Sequence, residues 1–298
     1  MLIGLYNLEP KYINIALEKI RLYHLLQGDT IQDYFPLEHD RYHKIYCSSI
    51  FTWSGKSYVT NDMICGGTGF DLTTTLPPEI EAMKPKINIG FTTRGCIRRC
   101  PFCVVREKEG DIRAVAKIDD IWDGKSREVI LLDNNILALR EWFFRVCDDL
   151  NRYNLKVDFN QGLDIRLLDN EVARTLATLK YTKQIRFSWD QMRTEEQVKR
   201  GIQTLLQYIN PHRLMCFVLI GYDTTEEEDL YRVEYLKSLK IDPFAMSYNK
   251  DPRYRHFARW VNHKAICVSV PWKEYRHSMN NPRMRRGHDE RTQMENVG

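Results

Sequence analysis

The chain has 298 residues, 43% of them hydrophobic and 28% charged, with 15 glycines and 11 prolines. These are the proportions of a folded globular protein, and they exclude a disordered, collagen-like or coiled-coil chain. The net charge of +4 divides unevenly: the stretch from 249 to 298 holds 11 Lys/Arg against 5 Asp/Glu, a balance of +6 that leaves −2 for the rest.

The chain opens on a β-α-β-β pattern. Leu2 to Tyr6 reads as a short apolar strand. Pro10 suits a first helical turn, Gly28 suits a helix end, and Ile13, Leu17, Ile20 and His24 recur between them at helical spacing. Thr30 to Phe35 and Lys44 to Phe51 read as further strands, and Asp62 to Phe70 as a short strand running into the Gly66-Gly67 turn. Pro77, Pro78 and Pro85 then break the chain, which places a boundary near residue 84. The organisation expected is 1–84 for a small α/β domain, 85–250 for a core and 251–298 for a basic, aromatic extension.

In the core, strand and helix alternate. Strands are expected at Ile87–Phe91, Glu128–Leu132, Lys156–Phe159, Gln184–Phe187, Leu214–Ile220 and Pro243–Ser247, with helices such as Glu196–Tyr208 and Glu226–Leu239 between them. This alternation predicts a parallel sheet. In parallel barrels the C-terminal strand ends carry the chemistry. Here they are polar or glycine-rich: Asp133-Asn134-Asn135, Asn160-Gln161-Gly162-Leu163-Asp164, Ser188-Trp189-Asp190 and Gly221-Tyr222-Asp223.

The longest apolar run, Leu214 to Tyr222, is far short of the roughly 20 residues that span a bilayer. The first residues carry no basic region and no small-residue cleavage site. A soluble, cytoplasmic chain with no membrane partner is expected, and eight cysteines are then not a disulfide framework. Five are scattered, at 47, 65, 147, 216 and 267. Of these Cys216, Cys147 and Cys267 have apolar neighbours, and Cys65 beside the glycine turn is the spare thiol of most interest. Cys96, Cys100 and Cys103 share one loop, Arg94-Gly95-Cys96-Ile97-Arg98-Arg99-Cys100-Pro101-Phe102-Cys103. Zinc would require a fourth ligand and usually takes paired C-x-x-C units, whereas a cubane iron–sulfur cluster on three cysteines leaves one iron open. His24, His39, His43, His256 and His263 lack metal spacing with a partner.

The C-x-x-x-C-x-x-C loop after the first core strand, with Phe102 before the last cysteine, resembles the radical S-adenosylmethionine superfamily. The resemblance implies a partial (β/α)6 TIM-like barrel. It also implies that Cys96, Cys100 and Cys103 hold a 4Fe–4S cluster whose open iron chelates S-adenosylmethionine. Asp133, Asn134 and Asn135 fall where the family holds the methionine amino group. Leu219 and Gly221 fall on the motif bordering adenine, and Ser188 and Asp190 where the ribose is contacted. Gln161, Asp164 and Arg166 suit the methionine carboxylate or the substrate. An electron donor such as flavodoxin or ferredoxin is implied as a partner.

The N-terminal unit with Gly66 and Gly67 is similar to the Rossmann-like, cobalamin-binding half of cobalamin-dependent radical enzymes, many of them methyltransferases. Two reactions therefore stand open: a cobalamin-dependent methyl transfer, and a cobalamin-free hydrogen abstraction on a nucleic acid or peptide. A third reading, a non-catalytic protein with a metal knuckle, would need a closed four-ligand site. The extension, with Tyr254, Phe257, Trp260, Trp272 and Tyr275 among basic residues, either holds phosphates and stacks bases or packs as a helix on the body.

Overall fold

In the computed structural model, which describes residues 1–249 and 251–278, the first strand β1 (Leu2–Asn7) forms from the apolar opening. It is flanked in parallel by β2 (Thr30–Asp33) and β3 (Lys44–Ser48), and β4 (Ile64–Gly66) adds in parallel beyond β3, giving the order β2-β1-β3-β4. Helix α1 (Ile15–Leu26) starts later than Pro10 suggests. Its N-cap is Asn14, whose side chain accepts from the Leu17 N–H at 3.2 Å and donates to Ser48 Oγ at 2.8 Å. A side-chain cap satisfies a helix-end donor that proline at the first turn does not. Gly28, at φ +77°, follows the helix end as expected.

The residues of β3 alternate between two cores. Tyr46 joins Ile3, Leu5, Leu17, Ile20 and Ile80 on the α1 face. Ile45 and Cys47 join Met63, with Tyr6, Val59, Cys65 and Phe70 packed against them, on the other.

After α2 (Pro78–Glu81), β5 is only Ile89–Gly90, shorter than the expected strand. Asn88, just before it, delays its start by turning left-handed, at φ 62°, and exchanging hydrogen bonds with Asp123 at 2.9 and 3.0 Å. An antiparallel pair that the sequence does not announce comes next. In it β6 (Thr93–Arg94) lies against β7 (Arg113–Ala114) and closes the cysteine loop and α3 (Val105–Glu109) between them. Beyond α4 (Ile118–Ile121), β8 (Glu128–Leu131) pairs in parallel with β5. Helix α5 (Arg140–Arg152) buries Phe143, Val146, Cys147 and Leu150, one stripe at helical spacing.

Strand β9 (Lys156–Phe159) carries the chain from a first compact unit, residues 1–157, into a second that begins at Asp158. The second unit contains α6 (Asn170–Thr178), β10 (Lys180–Tyr181), β11 (Ile185–Ser188), α7 (Glu195–Leu206) and β12 (Leu214–Ile220). These are followed by α8 (Glu226–Ser238), β13 (Asp242–Ser247), α9 (Pro252–Asn262), α10 (Lys264–Ser269) and α11 (Trp272–Ser278). Strands β11, β12 and β13 form a parallel sheet in that order. Helix α8 starts on a capping box in which Thr225 and Glu228 bond each other's backbone N–H. The fold is therefore α/β with parallel sheets.

Of the expected basic extension, residues 279–298 lie outside the described residues. In the described part, Phe257, Trp260 and Trp272 are buried against one another, with ring centroids 4.8 to 5.6 Å apart. These three rings pack as core and are not a platform for bases. Among the described residues no helix is long and apolar enough to cross a membrane.

Candidate functional site

The cysteine loop is held at both ends. At its start, Gly95 has φ +85°, and a Cβ there would stand 2.3 Å from the Asp111 carbonyl oxygen, so only glycine fits. Cys96 N–H donates to the Gly110 carbonyl at 3.3 Å, and Arg106 Nη1 donates to the Cys96 carbonyl at 2.8 Å. Arg94 is clamped by both oxygens of Glu109, which places the Lys108-Glu109-Gly110 run beside the loop's entry strand. Cys96 and Cys100 are half-buried, and Cys103 is exposed.

The Cys96 sulfur accepts from the Arg98 N–H at 3.3 Å and from Asn135 Nδ2 at 3.4 Å. Among the described residues no three His, Cys, Asp or Glu side chains are gathered as ligands of one metal ion. A 4Fe–4S cluster binds each thiolate through a separate iron, so its ligands need not converge on a point. The donor set, three thiols on a loop from 94 to 103 whose sequence contains no carboxylate to compete as a ligand, suits that group.

Asp133 sits differently from the role its position suggests. It is buried, and both its oxygens are already used. Oδ2 accepts from the Thr92 N–H at 3.2 Å, while Oδ1 accepts from Thr92 Oγ1 and Thr93 Oγ1, each at 2.6 Å, and from the Thr93 N–H. Burial pushes its pKa up, against the pull of these four donors. Asp133 thus fastens the strand that leads into the cysteine loop, and its neighbour Asn135 reaches the Cys96 sulfur. Asn134, between them, is half-buried.

In the second unit, the predicted residues after β9 and β11 group together. Asp164 binds Arg166 through Nε at 2.6 Å and Nη2 at 3.0 Å, and Ser188 Oγ donates to Asp190 Oδ2 at 3.0 Å. Asp190 feels the charges of Arg232, Arg166 and Asp164, and burial pushes its pKa up. Leu163 bridges in parallel to Phe187, which brings the 163–166 segment beside β11. Gln161 is exposed, apart from these bonds.

Sequence reasoning missed the group that braces this end of the sheet. Arg232 is fully buried. It donates to the Trp189 carbonyl at 2.6 Å, the Leu219 carbonyl at 2.8 Å and Asp229 Oδ1 at 2.5 Å. Asp229 also accepts from Thr224 Oγ1 at 2.7 Å and from the Gly221 N–H at 3.3 Å. One guanidinium therefore ties the C-terminal ends of β11 and β12. Gly221 itself is left-handed, and a Cβ there would press on the Tyr254 ring at 2.6 Å. Arg232→Met strands the buried Asp229 carboxylate, and a loss of about 3–5 kcal/mol is expected in urea unfolding. A loss below about 1 kcal/mol, the size of an exposed pair, would remove the brace from this account.

The Gly66-Gly67 turn lines a cavity of about 420 Å³ together with Tyr46, Cys65 and Thr74, and it also packs tightly on Ser49. A Cβ on Gly67, at φ +96°, would stand 2.3 Å from the Ser49 carbonyl oxygen, and one on Gly69 would stand 2.2 Å from Ser49 Oγ. Where β1 and β3 end side by side, an open sheet of this kind has its switch point, the usual crevice for a ligand. Here the Glu9 carboxylate takes the donors. It accepts from Ser49 Oγ at 2.9 Å, the Ile50 N–H at 2.9 Å, the Phe51 N–H at 3.3 Å and Ser54 Oγ. Burial raises the Glu9 pKa, but the bonds from Ser54, Ile50, Ser49 and Phe51 outweigh it and hold the group below its ordinary value.

A carboxylate with a depressed folded pKa adds stability above its unfolded pKa, near 4.3, and that stability is lost as the pH falls through the folded value. Glu9→Gln is therefore expected to lower stability by about 2 kcal/mol at neutral pH. It should also flatten the acid side of a melting-temperature profile between about pH 5 and pH 3. A variant whose profile overlays the parent's would contradict this.

Five cysteines remain. Burial pushes the Cys47 thiol up to about 12 and raises those of Cys147, Cys216, Cys267 and, less enclosed, Cys65. No family model matches this chain, and no curated protein matches it.

Proposed function

We propose that this chain is a radical S-adenosylmethionine enzyme. The observation that carries the reading is the loop of three accessible cysteines, gripped between β6 and β7, with two N–H donors on the Cys96 sulfur. Cys96, Cys100 and Cys103 are the residues that would hold the 4Fe–4S cluster. With S-adenosylmethionine bound, that group supplies one-electron cleavage of a carbon–sulfur bond and a 5′-deoxyadenosyl radical. The finer fold that goes with this reading is a partial (β/α)6 barrel preceded by a small Rossmann-like domain.

The chain's own residues bind and orient. Asn135 Nδ2 and the Arg98 N–H position the Cys96 sulfur. Asp133 fixes the entry strand through Thr92 and Thr93. The Asp164–Arg166 pair and the Ser188–Asp190 pair offer charged and hydroxyl partners for an amino acid end and for ribose hydroxyls. At the switch point the Glu9 carboxylate already takes the Ser49, Ile50 and Phe51 donors that the polar groups of a corrin would use, which favours the reading without cobalamin. The reading is therefore a cobalamin-free hydrogen abstraction, with a one-electron donor of the flavodoxin or ferredoxin kind as partner.

Anaerobic reconstitution with iron and sulfide is expected to give about four irons per chain. Dithionite with S-adenosylmethionine should then release 5′-deoxyadenosine. A protein that takes up a single zinc and releases no 5′-deoxyadenosine would overturn the proposal.

A further inference from the structure

Cys47 and Cys65 face each other across β3 and β4, and nothing in the proposed chemistry uses them. The parallel register pairs them directly, Cys47 opposite Cys65. Adjacent strands lie about 4.8 Å apart, which falls inside the Cα separation that a disulfide bridges, roughly 4.4–6.8 Å. Directly paired residues in a parallel ladder point to the same face, and both side chains belong to the core formed with Met63 and Phe70. Their accessibility is unequal: Cys47 is buried, at 2% exposed, while Cys65 is half-buried on a three-residue strand.

We propose that Cys47 and Cys65 are a redox-sensitive dithiol that closes to a disulfide under a hydroperoxide. The half-buried Cys65 sulfur attacks the peroxide, breaking its O–O bond, and becomes a sulfenic acid as one water or alcohol leaves. The Cys47 sulfur then attacks the Cys65 sulfur, forming the S–S bond and releasing one water. Two thiols lose two electrons in total, and the peroxide gains them. The register already pairs the two residues at a backbone separation that a disulfide spans. The bond clamps the segment 48–64 between the two cysteines. That segment carries the exposed Trp53, 71% accessible and stacked on Phe51 at 4.8 Å, so the oxidised and reduced chains present that aromatic loop with different freedom. The inference is independent of the cluster: the two sulfurs meet through strand register and not through the 96–103 loop.

The test treats the full chain with excess hydrogen peroxide, blocks remaining thiols with iodoacetamide and digests with trypsin. Cleavage after Lys44, Lys56 and Lys86 separates Cys47, in peptide 45–56, from Cys65, in peptide 57–86, and both from the cluster loop. A cross-linked 45–56/57–86 pair is expected, about 2 Da lighter than the sum of the two, and dithiothreitol should split it. In Cys47→Ser, the same treatment should leave peptide 57–86 trapped by dimedone as the sulfenic acid, with no cross-link. If the parent chain gives peptide 57–86 as sulfinic acid beside alkylated peptide 45–56, or both peptides simply alkylated, the proposal fails. Iron content and 5′-deoxyadenosine release are not needed for either reading.

Discussion

Cys96→Ala, reconstituted anaerobically, is expected to hold less than about one iron per chain where the parent holds about four, with 5′-deoxyadenosine release down by roughly 100-fold or more. Removing a direct ligand should exceed the 10- to 100-fold that loss of an outer partner costs. The same comparison gives Asn135→Ala an intermediate place. Its Nδ2 touches the Cys96 sulfur at 3.4 Å, so a loss of roughly 10-fold in activity is expected, with part of the iron retained. Cys147→Ala and Cys216→Ala should match the parent in iron. Both thiols are fully buried and pushed up in pKa, and a ligand must be a thiolate. The order Cys96, then Asn135, then the buried pair is the measurable content of the proposal. Equal iron in Cys96→Ala and the parent would sink it, whatever the stability of either protein.

That ranking rests on a loop the sequence displays openly, while the atoms that hold the loop were hidden. Leu214–Ile220 was legible as a strand because an apolar run ends in glycine, and the Glu226–Leu239 helix because it falls between two such strands. Such signals are local, and the local backbone answers them. Asn88 delays β5 through a left-handed turn that apolar spacing does not register. β6 and β7 are two residues each, too short for any period. Glu9 and Asp133 were harder still, since their partners lie about forty residues away along the chain. A carboxylate at a strand end suits a ligand or a clamp equally well in sequence, and only the position of Thr92 and Thr93 decides. The aromatics of the extension left two readings open in sequence, and the structure decides for the packed one. Aromatic residues spaced among basic ones look like a stacking surface until Phe257, Trp260 and Trp272 are seen to bury one another.

The assignment of Asp133 as a clamp separates from a ligand role by its effect on two measurements at once. Asp133→Ala leaves two buried backbone N–H groups and two threonine hydroxyls without their acceptor. Each buried donor left unmade costs about 1–3 kcal/mol, although the hydroxyls can rotate to other acceptors. A loss of about 3 kcal/mol is therefore expected in urea unfolding. Thr92 and Thr93 are fully buried and run directly into the cysteine loop. Iron uptake should fall together with stability, even though all three thiols remain. Had Asp133 served to hold the amino group of a bound ligand, the substitution would leave stability and iron near the parent's. It would weaken S-adenosylmethionine binding alone. Thr93→Val gives the complementary check: it removes one donor, keeps the carboxylate, and should cost about 1 kcal/mol. If Asp133→Ala keeps parental stability and iron while its affinity for S-adenosylmethionine drops, the carboxylate belongs to the ligand and the strand is fastened by something else.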